Sequence, residues 1–334
     1  MLKPRILLLG KIEHAPKAWS FVSSLGQVMT PKSTNRADFI RECKSGIFDE
    51  CLVAFRTFSS VKITGPWDAE LIAALPRGLE FCAHNGAGYD QIDVQACSAR
   101  DPPLRISNVP TAVDDATADT AVFLMLGALR RFNTCMTMLR DGQWGGGQEP
   151  PLGHDPEGKV LGVLGMGGIG RNMAKKCAAF GMSTIYHNRN PLSAELSGGA
   201  KYVSFDELLA ESDVLSLNLP LNKHTRHIIS TPEFAKMKRG VVIINTARGA
   251  VMEEAALVEA LESGQVGSAG LDVFEKEPEV HPGLLKNPNV IMLPHMGTST
   301  VETMRAMEEW AISNVRMVLE QGRLKSPVPE QKSL

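Results

Sequence analysis

The chain has 334 residues, of which 43% are hydrophobic and 22% charged, as in an ordinary globular protein long enough for two domains. Its 35 basic and 37 acidic residues give a formal net charge of −2, and no cluster of lysine and arginine interrupts this balance. We therefore expect neither a nucleic-acid partner nor an anionic-membrane partner. The six cysteines have no paired spacing of the kind that binds zinc, so we expect reduced thiols and no metal site.

The N-terminal segment gives an expectation about location. Its apolar run at 6–9 is too short for a signal peptide, and no apolar run elsewhere is long enough to span a bilayer. The C-terminal Lys332-Ser333-Leu334 does not match the peroxisomal tripeptide. We expect a cytoplasmic protein.

Short apolar runs alternate with helical stretches over most of the chain, which is typical of an α/β parallel sheet. In the N-terminal part we predict a helix at 67–74 and strands at 5–9, 51–55, 80–84 and 105–106. A single long helix is predicted at 117–139. Because this helix is apolar on nearly every side, we expect it to be buried in a core or against another subunit.

A stretch rich in glycine and proline, at 141–158, separates these elements from a second series. Strands are predicted there at 160–164, 184–187, 214–217, 241–245, 268–273 and 290–293. A second doubly wound sheet therefore occupies roughly 108–298. The last helix, at 301–320, is amphipathic and is expected to cross back to the first domain.

A glycine-rich turn follows the strand at 160–164 and opens a helix. Its sequence is Gly165-Met166-Gly167-Gly168-Ile169-Gly170, and strand, glycines, helix and second strand have the spacing of a dinucleotide-binding fingerprint. Gly165 allows the tight turn, Gly167 lets the backbone approach a pyrophosphate, and Gly170 lets helix and strand pack closely. The helix N-terminus favours the phosphate charge. A glycine-rich turn that binds nothing is the weaker interpretation.

The end of the next strand indicates which dinucleotide is bound. NAD sites place an acidic residue there for the ribose hydroxyls, whereas this chain has His187-Asn188-Arg189-Asn190. Arg189 could pair with a 2′-phosphate through its planar guanidinium. We therefore favour NADPH and keep NADH as the alternative, in which Arg189 is only a solvated loop residue.

Three ionisable residues follow predicted strands of the second sheet: Arg248, Glu277 and His295. In an open α/β sheet the ligand crevice lies outside the carboxyl ends of the strands, so the three side chains are expected to converge. The arginine would hold a substrate carboxylate and polarise a neighbouring carbonyl. The histidine would donate a proton while the glutamate keeps its ring protonated. His84 also ends a strand, but no arginine or glutamate accompanies it at strand ends, and we interpret it as structural.

Several segments carry a family resemblance over essentially the full length. They are Asn85-Gly86-Ala87-Gly88-Tyr89-Asp90, residues 115–120, Gly165–Gly170, residues 245–249, residues 270–274 and residues 294–298. In these the chain resembles the D-isomer-specific 2-hydroxyacid dehydrogenases, most of all the fungal glyoxylate reductases, with hydroxypyruvate reductases and D-mandelate dehydrogenases as relatives. The resemblance implies a flavodoxin-like substrate domain at 1–107, completed by 299–334, and a Rossmann domain at 108–298.

The resemblance also implies roles for individual residues. Arg248 binds substrate, His295 is the acid/base and Glu277 is its partner, with Glu275 a nearby competitor. The turn Ala87-Gly88 offers backbone N–H groups to the substrate carboxylate. The long helix and the loop around Trp144 form a dimer arm, so a homodimer is expected. The remaining residues expected at the cofactor are Thr117, Leu219, Pro220, Thr225, Thr246, Ala247, Asp272 and Gly297, beside the glycine turn, Asn188-Arg189-Asn190, Arg248 and His295.

The sequence leaves three interpretations of the function open, two of which differ in the substrate. A small 2-keto acid such as glyoxylate or hydroxypyruvate is favoured. Phe58 stands where small-substrate relatives often have leucine, so it either shapes the site for bulkier mandelate-type or branched 2-keto acids or is a core residue. Because one or two pocket side chains decide such preferences, the sequence does not separate them. A dinucleotide-sensing corepressor-like protein is the alternative that is not an enzyme.

Overall fold

The computed structural model describes residues 3–144 and 149–334, so Gly145-Gly146-Gly147 of the predicted glycine-rich loop lies outside the described residues. The chain divides into two compact units. The first runs up to Val113 and includes Thr300–Leu334, and the second is Asp114–Ser299. No helix in the described ranges has the length and apolar character needed to cross a membrane.

The strands are numbered in chain order. They are β1 (Arg5–Leu9), β2 (Gln27–Met29), β3 (Cys51–Thr57), β4 (Phe81–Asn85), β5 (Arg105–Ser107), β6 (Val160–Leu164), β7 (Ser183–His187), β8 (Lys201–Tyr202), β9 (Val214–Leu217), β10 (Val241–Asn245), β11 (Val266–Leu271) and β12 (Val290–Met292).

The helices are numbered in the same way. They are α1 (Pro16–Leu25), α2 (Arg36–Lys44), α3 (Val61–Thr64), α4 (Ala69–Ala74), α5 (Val94–Ala99), α6 (Asp114–Leu129), α7 (Phe132–Arg140), α8 (Gly168–Ala178), α9 (Ala194–Ser197), α10 (Phe205–Glu211), α11 (Thr231–Lys236), α12 (Glu254–Glu262), α13 (Pro282–Lys286) and α14 (Val301–Gln321). Short 3-10 helices occur at Phe58–Ser60, Gly249–Val251 and Pro329–Gln331.

The first unit is built on a parallel five-stranded sheet in the order β2-β1-β3-β4-β5. This is the flavodoxin-like order, in which a ligand crevice forms outside the carboxyl ends of the strands. The strands β3 and β4 are neighbours, and Thr57 at the end of β3 pairs with Asn85 at the end of β4. The residues that follow these two strands therefore share one edge of the sheet.

The C-terminal segment completes the first unit. The helix α14 packs against β3, β4 and α1. Its buried Glu308 carboxylate accepts hydrogen bonds from the N–H groups of Glu13, His14 and Ala15, at the start of α1. Beyond the helix, the Val328 N–H donates to the Ile106 carbonyl at 2.9 Å. The last residues thus extend the edge of the sheet at β5.

The second unit is built on a parallel seven-stranded sheet in the order β12-β11-β10-β9-β6-β7-β8. Six neighbouring strands of this sheet, β8-β7-β6-β9-β10-β11, have the order of a doubly wound dinucleotide-binding fold. The direction of this order reverses between β6 and β9. Both faces are covered, so the central strands are continuous apolar runs; every residue of β9 and β10 is buried. The expected fold class, two parallel α/β sheets, is confirmed. The edge strands β2 and β8, of three and two residues, were not predicted.

The prediction of one helix at 117–139 is wrong. The structure has α6 and α7, separated by Arg131, whose φ of 53° places it in the left-handed region. A residue in that conformation cannot continue a right-handed helix. The Nη1 atom of Arg131 donates to Oδ1 of Asn289 at 2.6 Å, so a partner distant in sequence holds the break. The helix α6 is largely buried, as expected, whereas α7 has no fully buried residue.

Candidate active site

Three adjacent strands of the second unit position the residues predicted to do chemistry. Arg248 follows β10, Glu277 follows β11 and His295 follows β12, and these strands pair in parallel. Parallel strands end at the same edge of a sheet, and this edge is where open α/β sheets bind ligands. The topology therefore brings the three predicted side chains to one edge.

His295 and Glu277 form a hydrogen-bonded pair. The Nδ1 atom of His295 lies 2.7 Å from Oε2 of Glu277, and the other carboxylate oxygen accepts the Phe274 N–H at 3.0 Å. Burial raises the pKa of Glu277, but these hydrogen bonds and the charges of His295 and Arg248 outweigh burial and hold the pKa below its ordinary value. Glu277 is therefore an anionic partner for the imidazole at neutral pH.

The backbone that carries His295 is held by Asp272. One oxygen of this carboxylate accepts the Met296 N–H and the other accepts the Gly297 N–H, each at 2.8 Å. His295 itself has a φ of 54°, a left-handed conformation that costs energy for a residue other than glycine. Burial raises the pKa of Asp272 above its ordinary value, although both N–H donors oppose the shift. Asp272 thus fixes the turn that aims the imidazole.

The turn that carries Arg248 is shaped by Asn245 at the end of β10. The side-chain oxygen of Asn245 accepts the Ala247 N–H at 3.0 Å, and its amide nitrogen donates to the Arg248 carbonyl at 3.0 Å. Gly249 comes next, and a Cβ atom there would overlap the backbone of Phe274. Because Gly249 has no side chain, the turn that carries Arg248 packs directly against the backbone of Phe274, in the segment that leads to Glu277.

Glu275, the competitor of Glu277, is engaged elsewhere. Its Oε1 atom accepts the Glu254 N–H at 2.9 Å and lies 3.1 Å from Nε2 of His227. The Glu254 carboxylate in turn accepts the Glu275 N–H at 2.6 Å. In this unit it is Glu277, and not Glu275, that contacts His295.

The glycine-rich turn lies between β6 and α8, beside the reversal of strand order. Gly165 has a φ of 96°, and a Cβ atom there would lie 2.7 Å from the Asn218 carbonyl oxygen that follows β9. A Cβ atom on Gly170 would lie 2.7 Å from the Gly165 carbonyl oxygen. A Cβ atom on Gly167, by contrast, would meet nothing within 4 Å. The first and last glycines are required by packing, whereas the middle one leaves the open approach that a pyrophosphate needs.

The loop after β7 carries no carboxylate next to the glycine turn. The Oδ1 atom of Asn188 accepts the Met166 N–H at 2.7 Å, so the side-chain amide nitrogen is the group that it can offer to a ligand. Arg189 and Asn190 follow and are exposed. This strand end therefore presents donors where an NAD site presents an acceptor.

Further predicted cofactor residues lie on the same edge of the second unit. Leu219 and Pro220 follow β9, and Thr225 donates from its hydroxyl to the Pro220 carbonyl at 2.6 Å. Thr117 lies buried in α6; a Cβ atom built on Gly297 would approach its side chain to 3.3 Å. Thr246 and Ala247 form the turn after β10.

Two buried polar atoms at this edge test whether a dinucleotide fits. The hydroxyl of Thr246 and the side-chain oxygen of Asn218 are buried and have no hydrogen-bond partner within the described residues. Buried polar atoms in proteins are normally paired, so these two suit a ligand with its own polar groups. The sequence did not single out Asn218, nor the clamping role of Asp272, because both depend on contacts between strands.

The first unit holds the remaining predicted residues. Phe58 begins the 3-10 helix directly after β3 and is partly buried. Ala87 and Gly88 lie in the turn after β4. Since β3 and β4 are paired, these residues follow adjacent strand ends of that sheet.

A model of the D-isomer specific 2-hydroxyacid dehydrogenase NAD-binding domain matches residues 122–297. The chain belongs to this family. It is therefore an oxidoreductase whose second unit contains an NAD-binding domain, and the family resemblance found in the sequence is confirmed.

Relatives of this dehydrogenase cover nearly its whole length. It is 56% identical to 4-methyl-2-oxopentanoate reductase A of Aspergillus oryzae, over 99% of each chain. A crystal structure of a glyoxylate reductase from Paecilomyes thermophila is 55% identical, with a TM-score of 0.96 over 99% of this chain and 100% of the other. An NADPH-dependent glyoxylate/hydroxypyruvate reductase from Sinorhizobium meliloti, in complex with NADP and malonate, is 30% identical, with a TM-score of 0.85 over 98% and 97% of the two chains.

Proposed function

We propose that this dehydrogenase uses NADPH, or NADH less efficiently, to reduce a small 2-keto acid of the glyoxylate or hydroxypyruvate type to the D-2-hydroxy acid. The observation that carries this proposal is the 2.7 Å pair of His295 and Glu277 at one sheet edge with Arg248. An imidazole paired with a carboxylate, beside an arginine, has the groups that reduction of a keto acid requires.

The proton donor is His295. Because Nδ1 is hydrogen-bonded to Glu277, the ring nitrogen that delivers the proton to the keto oxygen is Nε2. The Glu277 carboxylate contacts Nδ1 and so orients the ring during the transfer. The dinucleotide, when bound, supplies the hydride for the keto carbon. Asp272 supports the transfer indirectly, because it holds the left-handed turn at His295.

By the family resemblance we assign substrate binding to Arg248 in the second unit and to the turn at Ala87 and Gly88 in the first unit. The planar guanidinium offers two parallel donors to a carboxylate and also polarises the adjacent carbonyl. Within the described residues neither the Ala87 N–H nor the Gly88 N–H donates to a protein acceptor. Two neighbouring backbone donors of this kind suit an anion.

The dinucleotide is held by the glycine turn and the residues after β7, β9 and β10. NADPH is favoured because the side-chain oxygen of Asn188 accepts the Met166 N–H, which leaves the side-chain amide nitrogen as the donor for the ligand. Arg189 is exposed and adjacent, where it can pair with a 2′-phosphate. The NADP complex of the Sinorhizobium meliloti relative agrees with this preference.

A bulkier, branched 2-keto acid is the second candidate. One relative, 56% identical, is a 4-methyl-2-oxopentanoate reductase. Phe58, partly buried after β3, is the side chain that we propose to set the accepted substrate size. An aromatic ring at this position offers an apolar contact to a branched chain, which glyoxylate does not have.

We propose a homodimer formed through α6 and α7. Apolar side chains on and after these helices are exposed, with exposed fractions of 46% for Phe123, 59% for Leu139 and 76% for Trp144. An exposed apolar group of this extent is typical of an interface between subunits. We also propose a cytoplasmic location, which suits the buried thiols of Cys43, Cys82 and Cys97.

Reduced-cofactor oxidation tests the proposal. NADPH and NADH are supplied at matched concentrations with glyoxylate, hydroxypyruvate, 4-methyl-2-oxopentanoate or phenylglyoxylate, and absorbance is followed. Oxidation of NADPH with glyoxylate or hydroxypyruvate supports the first candidate, whereas oxidation only with the bulkier acids supports the second. If the reduced cofactor binds but none of the four 2-keto acids causes its oxidation, the proposed enzymatic function is rejected in favour of a dinucleotide-sensing protein.

A further inference from the structure

A buried arginine and a buried histidine lie at the ends of β3 and β4. Arg56 is 0% and His84 1% exposed. The Nη1 atom of Arg56 lies 3.0 Å from Nδ1 of His84, and its Nη2 atom donates to Oε1 of Gln91 at 2.7 Å. The guanidinium carbon lies 5.6 Å from the ring centre of Trp67. This arrangement fixes the guanidinium on three sides.

The direction of the hydrogen bonds follows from the arginine. A guanidinium only donates, so Nδ1 of His84 must accept, and the ring proton must reside on Nε2. The Nε2 atom lies 3.0 Å from the carbonyl oxygen of Gly88. His84 therefore links the fixed guanidinium of Arg56 to the carbonyl of Gly88 through two hydrogen bonds.

Every carbonyl of the turn from Gly86 to Gly88 is held from within the first unit. The Gly86 carbonyl accepts the Val109 N–H at 2.9 Å, the Ala87 carbonyl accepts Nδ2 of Asn108 at 2.8 Å, and the Gly88 carbonyl accepts Nε2 of His84. The N–H groups of Ala87 and Gly88 have no such partner within the described residues. With its carbonyls fixed, the turn presents these donors in one orientation.

Gly86 shows that the contact between His84 and Gly88 is built into the sequence. A Cβ atom on Gly86 would lie 2.7 Å from Nε2 of His84. Any larger residue at this position would push the imidazole away from the Gly88 carbonyl. Glycine is therefore required here for the contact of His84 and not for its backbone angle.

The charge of Arg56 is unusual for a buried group. In residues 3–144 and 149–334 no carboxylate forms an ion pair with it. Burial lowers the pKa of Arg56 to about 10, so the guanidinium is still charged at neutral pH. The charge of Asp90 opposes this lowering, and an anion bound by the turn would lie one imidazole away from the guanidinium.

We propose that Arg56 and His84 are positioning residues that hold the Ala87-Gly88 turn in the conformation that binds the substrate carboxylate. This inference rests on the proposed function, because it assumes that the turn receives a 2-keto acid. Neither side chain transfers a proton or touches the reacting atoms. They act by fixing the Gly88 carbonyl, and Arg56 adds a favourable charge behind the turn.

A matched pair of variants tests this role. In His84→Gln the terminal amide nitrogen can still reach the Gly88 carbonyl, and the amide oxygen can still accept from Arg56. In His84→Asn the oxygen can accept from Arg56, but the shorter chain cannot reach Gly88. We expect His84→Asn to raise the KM for the 2-keto acid and the inhibition constant of oxalate by about tenfold or more, while His84→Gln stays within about threefold of the wild type.

Cofactor affinity separates positioning from general damage to the fold. The Kd for NADPH is measured by fluorescence and should be unchanged in both variants, since the second unit holds the dinucleotide residues. An unchanged KM in His84→Asn, or an equal rise in His84→Gln, would overturn the inference. A wild type that reduces no 2-keto acid but binds oxalate, with binding weakened only in His84→Asn, would reject the proposed function and support the positioning role.

Discussion

The Nδ1 atom of His295 lies 2.7 Å from Oε2 of Glu277, although the two residues follow different strands of the second sheet. This contact depends on a left-handed backbone at His295 and on the Asp272 carboxylate that holds the next two N–H groups. An energetically costly conformation, stabilised by a buried carboxylate at a strand end, is typical of a catalytic turn.

Removal of the imidazole should abolish most turnover without loss of cofactor binding. His295→Ala and His295→Asn are expected to lower kcat by roughly two to four orders of magnitude, the usual contribution of a general acid. Asparagine is the sharper variant, because it adopts the left-handed conformation more readily than alanine and so leaves the turn intact. Steady-state kinetics and the Kd for NADPH measure the two effects. Near wild-type rates in His295→Asn would show that another group is the acid.

Loss of the carboxylate should slow reduction without loss of cofactor binding. In Glu277→Gln the imidazole of His295 loses the carboxylate that orients it at Nδ1, so kcat should fall by roughly tenfold or more while the Kd for NADPH is unchanged. A kcat close to that of the wild type would mean that Glu277 only supports the fold.

The same pair should contribute to stability in a defined pH range. The pKa of Glu277 in the folded protein lies below its ordinary value of 4.5. Its stabilising contribution is therefore present above the ordinary value and is lost as the pH falls through the lowered one. Urea midpoints of the wild type and Glu277→Gln should differ at pH 7 and converge in acid. A constant difference at all pH values would contradict this assignment.

Replacement of Arg248 should reveal the need for its planar group. Arg248→Ala is expected to lower kcat/KM for the 2-keto acid by roughly two orders of magnitude or more. Arg248→Lys should not restore it, because a single ammonium cannot reproduce two parallel donors. Recovery in Arg248→Lys to within a few-fold of the wild type would show that charge alone suffices.

A single substitution at Asn188 should shift the cofactor preference. Aspartate retains the acceptor for the Met166 N–H but replaces the outward amide nitrogen by a charged oxygen. We expect Asn188→Asp to lower kcat/KM for NADPH by about tenfold or more, by repulsion of the 2′-phosphate, while NADH is used at least as well. Arg189→Ala is the control, since it removes charge without adding an acid and should weaken NADPH alone. An unchanged ratio in Asn188→Asp would remove this residue from the discrimination.

Much of the fold and of the candidate site could be predicted because the signals are local. The glycine turn from Gly165 to Gly170 has a fixed spacing to its strand and helix, and the residues after β10, β11 and β12 share an edge in any parallel sheet. The sequence thus indicated Arg248, Glu277 and His295 together. Their geometry in the structure agrees with that prediction for Glu277 and His295, which are in contact.

The features that could not be predicted depend on distant partners. The helix break at Arg131 is held by Asn289, and no helix propensity reports such a contact. The clamping role of Asp272 and the orphaned oxygen of Asn218 exist only once the strands are side by side. The expectation that no arginine accompanies His84 at a strand end is wrong, because Arg56 near the end of β3 lies 3.0 Å from its Nδ1 atom. Such contacts arise from packing and not from local pattern.

The chirality of the product tests the proposed reaction. The protein is incubated with NADPH and a 2-keto acid whose product is chiral, 4-methyl-2-oxopentanoate or phenylglyoxylate, and the 2-hydroxy acid is resolved by chiral chromatography. We expect one equivalent of the D-2-hydroxy acid for each NADPH oxidised, and loss of this product in His295→Asn. An L-product, a racemic product, or oxidation of NADPH without a 2-hydroxy acid would contradict the proposed reaction.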